Sequence, residues 1–100
     1  MYLRLVTVNV QPDKLEDVRE MVNGEVNSIL KAQKGFRLHY LLESDENPGE
    51  IISATGWESK EVAESYEQSG TYEQLKEKFQ QWFTSTPELK TYEVHSYIES

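Results

Sequence analysis

The chain has no cysteine among its 100 residues. That excludes disulfides, thiolate chemistry and zinc sites built on cysteine, and it gives no sign of an oxidising compartment. Basic residues are also scarce. Ten Lys and Arg stand against 18 Asp and Glu, for a net charge of −8 with His neutral. A nonspecific nucleic-acid binder needs basic surface to displace counterions, and docking on an anionic membrane needs it as well. No apolar run approaches the roughly 20 residues of a membrane span. The start, Met1-Tyr2-Leu3-Arg4-Leu5, continues directly into a strand pattern and lacks the basic-then-apolar layout of a signal peptide. The expectation is a cytoplasmic protein with neither nucleic acid nor membrane as a partner.

Known catalytic and metal motifs are missing too. There is no phosphate-cradling glycine loop and no nucleophile elbow. The only histidines, His39 and His95, form no His-Glu-x-x-His. The carboxylates Glu43, Asp45, Glu46 and Glu50 lack the ordered ligand pattern of an EF-hand and read as a solvated loop. No cofactor and no metal are expected.

What is present is a regular alternation of patterns over a single domain, residues 1–100. Residues 2–10 read as a strand, with Val6, Val8 and Val10 on one face and Leu3 and Leu5 on the other. Apolar groups on both faces imply that both are covered. Pro12-Asp13 opens a helix of about five turns, with Asp13 and Glu16 at capping-box spacing. Leu15, Val18, Val22, Val26 and Ile29 give it one apolar stripe, interrupted by Gly24. Lys34-Gly35 is the stop. Residues 36–43 are the second strand, with Phe36, Leu38, Tyr40 and Leu42 on one face and Arg37, His39 and Leu41 on the other. A polar hairpin loop leads to a third strand at 51–57.

Residues 59–83 read as a helical region with Ser59 as its cap, bending near Ser69-Gly70. Thr71 and Gln74 offer a second capping box, and Tyr72, Leu75, Phe79 and Trp82 a second stripe. Pro87 marks a break, and residues 89–98 alternate as a last strand. The order β-α-β-β-α-β specifies an α+β, ferredoxin-like sandwich with a four-stranded antiparallel sheet. Both helices would then share one face of the sheet, leaving an apolar face bare. Monomers avoid such a patch, so a homodimer through the sheet face is expected, as in a dimeric α+β barrel.

The stretch Gly56-Trp57-Glu58-Ser59-Lys60-Glu61-Val62-Ala63-Glu64-Ser65-Tyr66-Glu67-Gln68-Ser69, continued by Thr71-Tyr72-Glu73-Gln74-Leu75, resembles the antibiotic biosynthesis monooxygenase family. Lys34-Gly35-Phe36 resembles that family's glycine leading into strand two. The resemblance implies a dimeric α+β barrel. It also implies an oxygenase that acts without flavin or metal on an aromatic quinol- or anthrone-like small molecule, with molecular oxygen as co-substrate. A non-catalytic small-molecule-binding or structural dimer is the alternative. The haem-degrading branch is a further one. By alignment with that branch its tryptophan falls on Tyr66 and its histidine iron ligand on Lys76, while its asparagine falls near Leu5, with Asn9 as a neighbour. A lysine cannot replace a neutral imidazole ligand, which counts against haem.

Oxygen chemistry on a quinol needs a group that accepts a proton and walls that orient a flat ring. His39, flanked by Arg37 and Tyr40, is the candidate base. Tyr66 and Tyr72, flanking the helix break, are candidates to hydrogen-bond a carbonyl. Trp57, at the strand-to-helix junction, is the first candidate for substrate contact. Arg37 could stabilise an oxyanion, and Asn9 could orient a substrate carbonyl. For each of these residues, ordinary packing or solvation is the competing account.

Overall fold

The computed structural model describes residues 1–100. Four strands form one sheet: β1 (Tyr2–Asn9), β2 (Phe36–Glu43), β3 (Glu50–Trp57) and β4 (Glu88–Glu93). Their order is β2-β3-β1-β4 and every neighbouring pair is antiparallel. Between β1 and β2 runs a helical rod of α1 (Leu15–Met21), a π turn (Val22–Val26) and α2 (Asn27–Lys31). Between β3 and β4 lie α3 (Lys60–Gln68), α4 (Thr71–Glu77) and a 3-10 turn at Gln80–Trp82. This is the ferredoxin-like arrangement expected from the sequence.

The π turn explains the first apolar stripe. Its buried residues are Val18, Val22, Val26 and Leu30, each four positions apart. At 3.6 residues per turn, a repeat of four drifts by about 40° at each step. A wider π turn absorbs part of that drift and keeps the stripe on the sheet. Leu30 therefore occupies the core where Ile29 was expected, and Ile29 is only half-buried. Gly24 lies within this turn, and a Cβ there would meet nothing within 4 Å, so it serves no close approach.

Other local expectations are corrected. Asp13 makes no cap hydrogen bond; Pro12 opens a 3-10 turn instead. Ser59 does cap α3, its Oγ accepting from Val62 N at 3.2 Å. The chain breaks at Gly70, φ +86°, which itself precedes α4 without a side-chain cap. The Thr71–Gln74 capping box is therefore not formed; Thr71 is already the first helical residue, and its N–H donates to Ser69 Oγ at 3.3 Å. β4 stops at Glu93, well short of residue 98, because β1 is used up: the ladder ends with Val94 N donating to Met1 O at 2.9 Å.

A β-bulge between Phe36 and Leu38 changes the faces of β2. Phe36 packs with the Trp57 cluster on the helix side. Leu38, Tyr40 and Leu42, which pair with Gly56, Ala54 and Ile52, face away. The expectation that Phe36 shares their face fails because a bulge inserts one extra residue and resets the alternation. The core divides into two clusters. One holds Val26, Leu30, Trp57, Ala63, Tyr66 and Leu75; the other holds Val8, Val10, Val18, Val22 and Ile51.

Candidate functional site

Residues from both core clusters line one cavity of about 90 Å³ between the sheet and the helices. The pairing register sets its polar floor. Thr55 of β3 pairs with Arg4 of β1 on one side and with His39 of β2 on the other, so the three residues form a row across the helix-facing side of the sheet. At about 4.8 Å per strand, the Arg4 and His39 backbones stand roughly 10 Å apart. Valines of β1 and of the π turn form much of the wall, and α4 closes the space with Tyr72, Leu75 and Lys76.

His39 is held at both ring nitrogens. Nδ1 lies 2.8 Å from Asn27 Oδ1, and Nε2 lies 2.9 Å from Ser53 Oγ. Asn27 is the first residue after the π turn, so the helix distortion places this partner. With Nδ1–H donating to the amide oxygen, Nε2 is left to accept from the Ser53 hydroxyl. Burial lowers the His39 pKa below its ordinary value, which keeps the ring neutral. A neutral imidazole with its acceptor nitrogen on a cavity-lining hydroxyl can take up a proton delivered through that hydroxyl.

The other end of the row is cationic and aromatic. Arg4 is 2% exposed. Its guanidinium carbon sits 4.4 Å from the Tyr72 ring centroid and 5.3 Å from that of Tyr66. Burial pushes the Tyr66 hydroxyl up to about 12, with Arg4 opposing it. Burial also raises Tyr72, against the pull of Arg4 and Lys76. Both phenols therefore stay protonated at neutral pH and can donate a hydrogen bond, but cannot act as bases there. Lys76 pairs with Glu73 at 2.9 Å, which raises its pKa.

Of the residues singled out in the sequence, His39, Tyr66 and Tyr72 come together on the cavity. Trp57 does not reach it. The indole is fully buried, stacks on Tyr66 with centroids 4.4 Å apart, and donates from Nε1 to Thr55 Oγ1 at 2.9 Å. It stands behind the wall and fixes two residues that form it. Arg37 lies at the bulge and is exposed, away from the cavity. Asn9 is exposed at the end of β1, where its N–H donates to Ser85 Oγ at 2.9 Å. Sequence reasoning missed Arg4, Asn27 and Ser53. An arginine at the helix-facing parity of β1, among valines, was the available signal for Arg4. The partners of His39 depend on pairing register and on the π turn, and carried no signal.

No group of three or more His, Asp or Glu side chains is placed to hold a metal ion. The cavity does not fit haem either: Lys76 carries a paired charge, Asn9 lies elsewhere, and a porphyrin is several-fold larger than the space.

The model of the antibiotic biosynthesis monooxygenase family matches residues 1–82. The chain belongs to that family. Solved structures agree on the fold. The ActVA-Orf6 monooxygenase of Streptomyces coelicolor, in complex with nanaomycin D, superposes with a TM-score of 0.82 at 16% identity, covering 99% of this chain and 91% of that one. SnoaB of Streptomyces nogalater, a cofactor-independent oxygenase, gives 0.76 at 13% identity over 99% and 97% of the two chains. Rv0793 of Mycobacterium tuberculosis gives 0.75 at 15% identity over 98% of each. No curated protein matches the chain in sequence. This antibiotic biosynthesis monooxygenase domain has a His39–Ser53 pair and a buried Arg4 on the helix side of its sheet.

Proposed function

We propose that this domain is a cofactor-independent monooxygenase of a small aromatic quinol-like compound. The observation that carries the reading is the neutral His39, bonded through Nε2 to Ser53 on a cavity shared with Tyr66 and Tyr72. The ring hydroxyl gives its proton by way of Ser53 to His39. The resulting electron-rich anion is itself the reductant of dioxygen. In the keto form of the quinol, the carbon beside the carbonyl is a ring methylene. That methylene and one dioxygen molecule give a ring carbonyl and one water. One oxygen atom enters the product, and the other leaves with the two methylene hydrogens. Tyr66 and Tyr72, as protonated donors, hold the developing carbonyl oxygen.

The volume narrows the substrate. About 90 Å³ is less than the ~150 Å³ that accommodates benzene, so admission of even one ring needs a wall to move. α4 suits that role: it is seven residues long and begins beyond Gly70, whose surroundings are open. A single-ring quinol is therefore favoured over a tricyclic anthrone. A second copy completes the same reading. Tyr40 and Leu42 are 59% and 47% exposed on the face away from the helices, beside Leu3, Leu5 and Ile52. Burying that face in a homodimer removes an apolar patch.

The test is oxygen uptake by purified protein with a panel of hydroquinones and anthrones. The expected result is uptake with a single-ring quinol, falling about 100-fold or more in His39→Gln. The small volume also favours a second reading, a ligand-binding dimer without turnover. Saturable ligand binding with no protein-dependent uptake across the panel would establish that reading and sink the first.

A further inference from the structure

Arg4 is a buried cation whose side-on hydrogen-bonding edge meets no protein acceptor. Its Nε and Nη2 are buried and have no hydrogen-bond partner. The nearest carboxylate oxygen, Glu67 Oε2, is 3.9 Å from Nη2, too far for a hydrogen bond, and the Glu67 side chain is 47% exposed. A buried charged donor without an acceptor is costly, so in a native structure it marks a place where a water, an ion or a ligand supplies one. Nε and Nη2 form the side-on edge of a guanidinium, which matches a carboxylate in bidentate fashion. Arg19 in this same chain shows the match: its Nε and Nη2 each donate at 2.7 Å, one to each oxygen of Glu43.

The surroundings of Arg4 agree with an anionic occupant. No Asp or Glu lines the cavity, although the chain carries a net charge of −8, while Arg4 and Lys76 both line it. The guanidinium carbon lies over the Tyr72 and Tyr66 rings, whose faces attract the cation. The rest of the wall is apolar and suits a hydrocarbon body.

We propose that Arg4 is the recognition residue for a small monocarboxylate, bound bidentately through Nε and Nη2, with its hydrocarbon part directed along the row toward Thr55 and Ser53. The carboxylate takes the Arg4 end, and the group nearest His39 is the one open to proton transfer. Carboxylate binding of this kind requires no oxygen chemistry, so its failure and that of the oxygenase reading are separable.

The experiment is an anaerobic NMR titration of the whole protein, following the Arg4 Nε–H and the Tyr66 and Tyr72 ring signals. The probes are acetate, butanoate and benzoate, each against its neutral amide. The acids should shift Arg4 Nε–H saturably, and at least one should bind about tenfold or more tightly than its amide. Arg4→Gln, checked for fold by circular dichroism, should abolish the preference. Arg4→Lys, which keeps the charge and loses the fork, should weaken it. Glu67→Gln removes the competing carboxylate and should tighten acid binding. Equal binding of acids and amides to the wild-type protein would overturn the proposal without reference to any variant. So would an Arg4 Nε–H signal that no acid moves, or acid binding undiminished in folded Arg4→Gln.

Discussion

The Trp57 indole lies against the Tyr66 ring, with centroids 4.4 Å apart and planes inclined by 28°. The stack joins the last residue of β3 to the last turn of α3 and holds Tyr66 against the cavity. A second contact, edge-on to Phe36 at 5.7 Å, ties in the start of β2. Trp57 thus acts on the site through its neighbours.

Removal of that anchor should cost stability before it costs chemistry. Trp57→Ala empties a fully buried position and breaks the Nε1–Thr55 bond, for a loss of about 3–5 kcal/mol in urea denaturation. Trp57→Phe keeps a ring against Tyr66 and should lose less. Equal loss in both variants would mean that the stack contributes little.

His39 should make stability depend on pH in the mildly acidic range. Its folded pKa is lowered from 6.5 by burial, so below 6.5 the unfolded chain binds more protons than the folded one. Stability is then complete above pH 6.5 and falls as pH drops toward the lower folded pKa. His39→Gln should flatten that part of the profile. An unchanged slope in chemical denaturation from pH 7 down to pH 5 would show that His39 is not the group responsible.

Asn27 sets the tautomer of His39. In Asn27→Asp a carboxylate replaces the amide oxygen 2.8 Å from Nδ1, which favours the imidazolium. The His39 titration, followed by imidazole carbon NMR, should move to higher pH. Asn27→Leu should leave Nδ1 unsatisfied and mix the two neutral tautomers. A titration indifferent to both changes would place the control of His39 elsewhere.

Gly35 should tolerate no side chain. Its φ is +75°, and a Cβ would stand 2.4 Å from Val62 Cγ1. Gly35→Ala combines left-handed strain with that clash and should destabilise the fold by about 1–3 kcal/mol by thermal or chemical unfolding. Retained stability would mean that α3 can shift away from this turn.

The uncovered sheet face should report the oligomeric state. Leu42→Glu puts a charge where Leu42 and Ile52 form an apolar pair. In sedimentation velocity the wild-type chain should run as a dimer and the variant should dissociate at least tenfold more readily. A monomeric wild type would remove the dimer from the reading.

The sequence by itself determined the element order, the two helical stripes and the bare sheet face. Those properties follow from period-2 and period-3.6 spacing of apolar residues and from breakers such as Gly35, Gly70 and Pro87. It also marked His39, Tyr66 and Tyr72. Only the tertiary structure decided which side chains meet. A bulge after Phe36 moves one aromatic across the sheet, and the π turn carries Asn27 to His39. The register aligns Arg4, Thr55 and His39 in one row across three strands. Trp57, the most conspicuous residue in the sequence, is turned behind that row. Contacts between residues distant along the chain depend on strand register and on single-residue insertions, and a local apolar pattern encodes neither.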